Sequence, residues 1–272
     1  MKRKCKELKQ ISRGNLAGFY GTFILAMILV SMIPSFILMP FNSVFQKEVI
    51  AYVFKPGTII TYIIATLLVT LISSILNAGL FKLHLNRARK SPAQIGDLFS
   101  QFKKRPDRFI VSTLLIILIS IVIFIPLIIV IFFVFTNFFI SLSFKFSTLS
   151  LTPLILILCL YLVTIIFNIY IALRFSQYLI ILTDHEEYSA IEGLKASWKL
   201  MSGNVGRLFY LHLSFIGIMI LGLFSFGIAF LWIEPYRIQT MVQFYLDITG
   251  QIDQQLANER RIEEEMGPIM EY

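Results

Sequence analysis

The chain alternates between long uncharged apolar runs and shorter segments that hold most of its charged residues. The runs cover residues 14–46, 56–81, 109–144, 146–173 and 208–233, and each is longer than the ~20 residues that a helix needs to cross a bilayer. A membrane-spanning strand would alternate apolar and polar residues, and these runs do not. Because lipid offers the backbone no hydrogen-bond partner, the pattern predicts an all-α polytopic membrane protein.

The first four runs predict four spans, near residues 19–39, 58–80, 109–133 and 151–173. Two further spans are predicted near the carboxyl end, and the chain then consists of three parts. These are a basic leader at residues 1–18, a six-helix membrane domain at 19–248 with connections at 81–108 and 174–207, and an acidic tail at 249–272.

The region from residue 208 to 246 is too long for one crossing of a ~30 Å hydrocarbon core and just long enough for two. A tight turn is available at 222–227, which has glycine at both ends. We therefore predict a fifth span before this turn and a sixth after it, up to Asp247, so that the six spans form three hairpins. The alternative is a single fifth helix that ends at Trp232, an interfacial aromatic residue.

The predicted sixth span carries polar residues that are costly against lipid, and these should face the bundle interior or a wet cavity. Glu234 and Arg237 are three residues apart, so they can pair on one helical face. Asn77 and Asn168 lie in two other spans and are expected to hydrogen-bond between helices. The candidate residues for a polar pathway or for helix packing are Glu234, Tyr236, Arg237, Thr240, Gln243, Asn77 and Asn168.

The net charge of +8 could suggest a nucleic-acid partner, but the position of the basic residues indicates a membrane topology instead. Most of the 24 Lys and Arg residues lie in residues 1–18, 81–108 and 174–207. The positive-inside rule therefore predicts that these segments and both termini are cytoplasmic. Their charge is expected to attract anionic lipid headgroups, and no nucleic-acid partner is expected.

Each of the two longer cytoplasmic connections is predicted to contain an amphipathic helix that lies on the inner membrane surface. In the second connection, Thr183 and Glu186 have the spacing of a capping box, which predicts a helix start at Thr183. The candidate lipid-facing residues are Phe99 and Phe102 in the first helix, and Trp198 and Met201 in the second.

The two amphipathic helices have the same spacing of apolar residues, and each is followed by an arginine directly before a span, Arg108 and Arg207. A weaker similarity links Gly14-Asn15, before the first span, with Gly203-Asn204, before the fifth. Together these similarities suggest three copies of one unit, a short amphipathic helix followed by a membrane hairpin.

No catalytic motif is recognisable in the sequence. The cluster at residues 184–187 combines acidic residues with a histidine, but it lacks the spacing that places two imidazoles on one helical face. Cys5 and Cys159 form neither a disulfide framework nor a metal-binding spacing. We therefore expect no enzymatic activity, no cofactor and no bound metal.

The chain resembles a known family in scattered small and aromatic residues. The stretches that carry the resemblance are ISRGNLAGFY (11–20), LNAGLFKLHLNRARKSPAQIGDLFSQFKK (76–104), LKASWKLMSGNVGRLFYLHLSFIGI (194–218), LFSFGIAFLWIEPY (223–236) and FYLDI (244–248). With them the chain resembles the bacterial integral membrane family known as domain of unknown function 975, which is found mostly in Gram-positive bacteria. The resemblance implies six helices and a plasma-membrane location, and it implies no catalytic residues.

These features favour a non-enzymatic membrane protein that acts through lipid, peptide or protein partners. It would be an accessory to export, or it would protect the cell against membrane-active peptides. The alternative is a small-solute or peptide transporter or channel, whose pathway would be lined by the polar residues of the sixth span. An intramembrane enzyme would need catalytic residues that the sequence does not offer.

Overall fold

In a computed structural model, residues 2–53, 55–143 and 152–266 are described, and they form helices with no strand among them. The all-α prediction is therefore confirmed. The helices are α1 (Cys5–Leu16), α2 (Tyr20–Ile50), α3 (Pro56–Ala88), α4 (Asp97–Lys103), α5 (Asp107–Ser143), α6 (Thr152–Phe175), α7 (Tyr178–Asp184), α8 (Ala190–Leu200), α9 (Val205–Phe224), α10 (Phe230–Ile248) and α11 (Gln251–Met266).

Five helical segments of the described chain are long and apolar enough to cross a membrane: Tyr20–Ile50, Pro56–Ala88, Asp107–Thr136, Ile155–Asp184 and Val205–Phe224. They overlap the first five predicted spans. The predicted start of the fourth span at Leu151 and the end of the acidic tail, 267–272, lie outside the described residues. The predicted sixth span corresponds to α10, which is not among the five segments, because its polar residues lower its hydropathy.

The buried core is concentrated at one end of the molecule. There the beginnings of α2, α5 and α9 meet the ends of α3, α6 and α10, and α1, α4, α7 and α8 pack among them. We call this region the basic end, since it contains residues 2–18, 81–108 and 174–207, where most Lys and Arg residues lie. Away from it, large apolar side chains such as Phe36, Phe132 and Ile166 are exposed, as expected of a surface that lipid covers.

The basic leader contains a core helix that the sequence analysis did not predict. In α1, Leu8, Ser12 and Leu16 recur every fourth residue and are completely buried against the bundle, where α1 packs along α10. The Ser12 hydroxyl donates to the Leu8 carbonyl at 2.7 Å, so its burial leaves no unsatisfied donor. The helix was missed because charged residues dominate the composition of the leader.

The predicted helix start at Thr183 is wrong. Thr183 lies near the end of α7, and its hydroxyl donates to the Leu179 carbonyl at 2.7 Å, so it does not cap a helix. The capping box is formed by Ser189 and Glu192 at the start of α8, where the Ser189 amide donates to the Glu192 carboxylate at 2.8 Å. Both residue pairs have the same spacing, and only the surrounding contacts distinguish them.

The turn between α9 and α10 lies where the glycine pattern predicted it. The Gly227 amide donates to the Gly222 carbonyl at 3.2 Å, and Gly227 has a φ of +87°, which favours glycine. At Gly222 a Cβ atom would lie 3.0 Å from Ile233 Cδ1, so glycine allows the two helices to approach closely. These contacts close the hairpin without a polar loop.

Candidate functional site

Helix α10 lies at the centre of the basic end, where it contacts α1, α2, α3 and α9. Its polar residues Tyr236, Thr240, Gln243 and Asp247 are all buried. The Thr240 hydroxyl donates to the Tyr236 carbonyl of its own helix at 2.7 Å. The polar face of α10 thus points into the protein, where its hydrogen-bond and ion-pair partners determine whether its groups are available to bind anything else.

A fully buried hydrogen bond joins α3 to α10. His84 Nδ1 lies 2.7 Å from Gln239 Oε1, and the His84 ring lies 4.4 Å from the Phe23 ring of α2. His84 Nε2 and Gln239 Nε2 have no partner among the described residues, so the pair retains unused hydrogen-bonding capacity. Neither residue is among the candidates predicted from the sequence, because the two residues are 155 positions apart.

A buried carboxylate ties α10 to the chain's amino-terminal segment and to α9. The side chain of Asp247 is fully buried and lies 3.1 Å from Arg3 Nη1. Arg207 Nη2 also pairs with Asp247, and the Arg207 guanidinium lies 5.2 Å from the centroid of the Phe244 ring. Two guanidinium groups around one carboxylate compensate for its removal from water.

A second carboxylate, Asp184 at the end of α7, joins α3 to α10. It receives two hydrogen bonds from Arg89, at 2.6 Å and 2.8 Å, and a third at 2.8 Å from the Tyr245 hydroxyl. Bidentate arginine contacts of this kind are geometrically specific and strong. They place the end of α3 level with the carboxyl-terminal turns of α10.

Glu234 and Arg237 form an ion pair with each other, at 2.7 Å between Oε2 and Nη2. Their side chains are 23% and 32% exposed, so neither is sealed in the core. The pair has the i,i+3 spacing read from the sequence. It lies at the edge of the buried polar face rather than within it.

The two candidate asparagines bond within their own helices. Asn77 Nδ2 donates to the Ser73 carbonyl at 2.8 Å, and Asn168 Nδ2 donates to the Thr164 carbonyl at 3.0 Å. Each Nδ2 thus donates to the preceding turn of its own helix, whereas hydrogen bonds between helices were expected.

Three of the four candidate lipid-facing residues are exposed at the basic end: Phe99, Phe102 and Trp198. The Trp198 ring also lies 4.1 Å from the guanidinium of Arg174. The expectation for Met201 is wrong, since this residue is completely buried. It follows directly on α8 and packs into the core, so the apolar face of α8 is divided between the surface and the interior.

Arg108, at the first turn of α5, is buried and faces backbone carbonyls rather than a carboxylate. Its Nη1 donates to the carbonyls of His185, Glu186 and Tyr188, at 2.9 to 3.2 Å. Arg108 therefore holds the connection between α7 and α8, which is a structural role. Within the described ranges, no group of three or more His, Cys, Asp or Glu residues is placed to bind a metal ion.

The family model described as "Protein of unknown function (DUF975)" matches residues 1–251, a range that includes α1 to α10. The chain belongs to DUF975. This confirms the resemblance read from its small and aromatic residues. No curated protein and no solved structure matches the chain.

In this DUF975 protein, several polar groups of α10 pair with side chains of the same chain, within α10 or outside it. Asp247 binds arginines, Gln239 binds His84 and Glu234 binds Arg237. This arrangement links α10 to α3, to α9 and to the segment before α1 at the basic end.

Proposed function

We propose that this DUF975 protein is a non-enzymatic protein of the plasma membrane that acts through lipid, peptide or protein partners. Its role would be that of an accessory to export, or of protection against membrane-active peptides. One observation carries this proposal: Glu234, Gln239 and Asp247 of α10 each pair with another side chain of the protein. Groups held in this way are poorly suited to bind a substrate or to line a pathway.

The proposal includes an orientation in which the basic end and both termini lie in the cytoplasm. It is supported by the concentration of Lys and Arg in residues 2–18, 81–108 and 174–207. Exposed Phe99, Phe102 and Trp198 lie in two of these segments, close to basic residues. Aromatic rings beside cations suit a membrane surface with anionic headgroups.

Deletion of the gene tests this function. We expect lower tolerance to membrane-active peptides or reduced secretion, and we expect the wild-type gene to restore both. The double variant Phe99→Ser/Phe102→Ser removes two exposed rings and should restore less. Phe99→Leu/Phe102→Leu, which keeps both exposed positions apolar, is the matched control and should restore fully. Unchanged tolerance and unchanged secretion in the deletion strain would contradict the proposal.

A transporter or channel for small solutes or peptides is the second candidate, because Glu234 and Arg237 retain partial exposure. In reconstituted vesicles, Glu234→Gln and Arg237→Gln should then alter solute flux. Absence of flux for every tested solute in wild-type vesicles would remove this candidate.

A further inference from the structure

The hairpin of α9 and α10 ends in an apolar tip. Phe226, in the turn, is 98% exposed, and Leu223, Phe224 and Ile228 beside it are also exposed. The polar group of the turn is satisfied internally, since the Ser225 hydroxyl donates to the Gly222 carbonyl at 2.6 Å and accepts from the Ala229 amide at 2.9 Å. An apolar turn with satisfied hydrogen bonds is suited to hydrocarbon rather than to water.

Two contacts set the register of α10 against α3, and both helices run toward the basic end. His84 of α3 meets Gln239 of α10. Five residues later, directly after α3, Arg89 meets Tyr245 of α10 through the shared carboxylate of Asp184. The spacing is similar on both helices, so they run side by side in the same direction. Residues 84 and 239 therefore lie at the same position along the bundle axis, and the distances below are measured from this level.

From this level the two helices extend very different distances away from the basic end. Helix α3 begins at Pro56, which is about 42 Å of helix from His84 at 1.5 Å per residue. Helix α10 begins at Phe230, which is only about 14 Å from Gln239. The hairpin therefore stops about 28 Å short of the start of α3, and the hydrocarbon core of a bilayer is itself ~30 Å thick.

The contacts of α9 also indicate that the hairpin extends only a short distance from the basic end. Its first half is held at the basic end, where Arg207 pairs with Asp247 and the Ser214 carbonyl accepts from Lys9 at 2.7 Å. The Phe215 ring lies 5.2 Å from the Tyr236 ring, and only about 14 Å of α9 remains between Phe215 and its last residue. Although α9 is long and apolar enough to cross a membrane, its contacts with Asp247 and Lys9 anchor its first half at the basic end.

We propose that α9 and α10 form a re-entrant hairpin, which enters the bilayer from the basic end and returns to the same side. Its tip, residues 223–228, contacts the acyl chains of the leaflet at the basic end, while α2 and α3 cross the whole bilayer. Arg237 lies only two residues from the level of Gln239, so the ion pair with Glu234 stays near the headgroups rather than at the centre of the membrane. This inference concerns topology and is independent of the proposed function.

Cysteine labelling in whole cells and in inside-out membrane vesicles tests the hairpin, with a control that matches it closely. Tyr52 and Phe226 are both exposed aromatic residues with positive φ, and each lies in the turn of a helical hairpin. In a background with Cys5→Ser and Cys159→Ser, Tyr52→Cys, Phe226→Cys and Ser91→Cys are made singly. Ser91 is exposed at the basic end and reports on that side.

A membrane-impermeant maleimide should label Tyr52→Cys from one side of the membrane and Ser91→Cys only from the other. Phe226→Cys should resist this reagent from both sides and should react only after denaturation in sodium dodecyl sulfate, because the thiolate that attacks the maleimide does not form in hydrocarbon. Labelling of Phe226→Cys from the side of Tyr52 would mean a full crossing and would overturn the proposal. Labelling from the side of Ser91 would place the tip in water and would also overturn it. Leu223→Cys serves as a second tip variant if Phe226→Cys does not accumulate in the membrane.

Discussion

The carboxylate of Asp247, near the end of α10, lies 3.1 Å from the guanidinium of Arg3, which precedes α1. This contact closes the chain on itself, since the two residues are separated by 244 positions. Together with Arg207, it fixes α1 and α9 against α10. The basic end is thus held by charges that the sequence distributes among distant segments.

Loss of the Asp247 carboxylate should destabilise the fold. Asp247→Ala leaves Arg3 and Arg207 without their buried partner, and we expect a loss of about 2–4 kcal/mol, because both arginines can partly reach water. Thermal unfolding in detergent measures the change. Asp253→Ala is the control: it removes another carboxylate that contacts Arg3, at 2.6 Å, but at an exposed position, and should have little effect. Equal effects of the two variants would contradict a special role of the buried carboxylate.

The hydrogen bond between His84 and Gln239 should show energetic coupling. Gln239→Leu leaves a buried imidazole without a partner, and we expect a loss of about 1–3 kcal/mol in the free energy of unfolding. The double variant His84→Phe/Gln239→Leu replaces both polar groups, so it should be less destabilised than the sum of the single variants. Unfolding of all four proteins in the same detergent gives the coupling energy. Strict additivity would show that the contact contributes nothing.

The close packing of α4 against α3 should require a glycine at position 79 of α3. A Cβ atom at Gly79 would lie 2.0 Å from the Leu98 carbonyl oxygen, so Gly79→Ala must displace the backbone of α4. We expect a destabilisation of about 1–3 kcal/mol. Gly57 lies in the same helix with open space around it, and Gly57→Ala should stay within about 1 kcal/mol of wild type. Thermal unfolding distinguishes the two, and similar values for both variants would argue against close packing of α4.

The ion pair between Lys104 and Glu186 should be visible in a titration. A hydrogen bond from the Lys104 ammonium at 2.7 Å lowers the pKa of the Glu186 carboxyl. Because the pKa is lower in the folded state, the pair stabilises the fold above the ordinary pKa of glutamate, and this contribution is lost as the pH falls through the folded value. Lys104→Ala should raise the pKa of Glu186, as measured by the carboxyl ¹³C shift against pH. Lys103→Ala, which removes the same charge one residue earlier, should leave it nearly unchanged.

The local pattern of the chain was sufficient to predict much of the helical framework. Long uncharged runs require helices in a membrane, and glycines 222 and 227 allow a tight turn, so these elements follow from short stretches of sequence. The Glu234–Arg237 pair belongs to the same class, because its partners are neighbours on one helix. Features of this kind depend on residues a few positions apart.

Other features depend on contacts between distant segments, and local sequence patterns predicted these features wrongly or not at all. The motifs at Thr183 and Ser189 have the same spacing, but only Ser189 lies at a helix start, where its hydroxyl accepts from the Glu192 amide. Met201 has the periodicity of a surface residue, yet the core covers it.

The depth of the hairpin formed by α9 and α10 shows most clearly which features need the tertiary structure. Composition and length make α9 a plausible crossing, and they suggested that α10 crosses back. The level at which these helices sit is set by His84 with Gln239 and by Arg207 with Asp247, which are side-chain contacts across the folded chain. Hydropathy is a property of a segment alone, whereas depth is a relation between segments, so only the assembled bundle can define it.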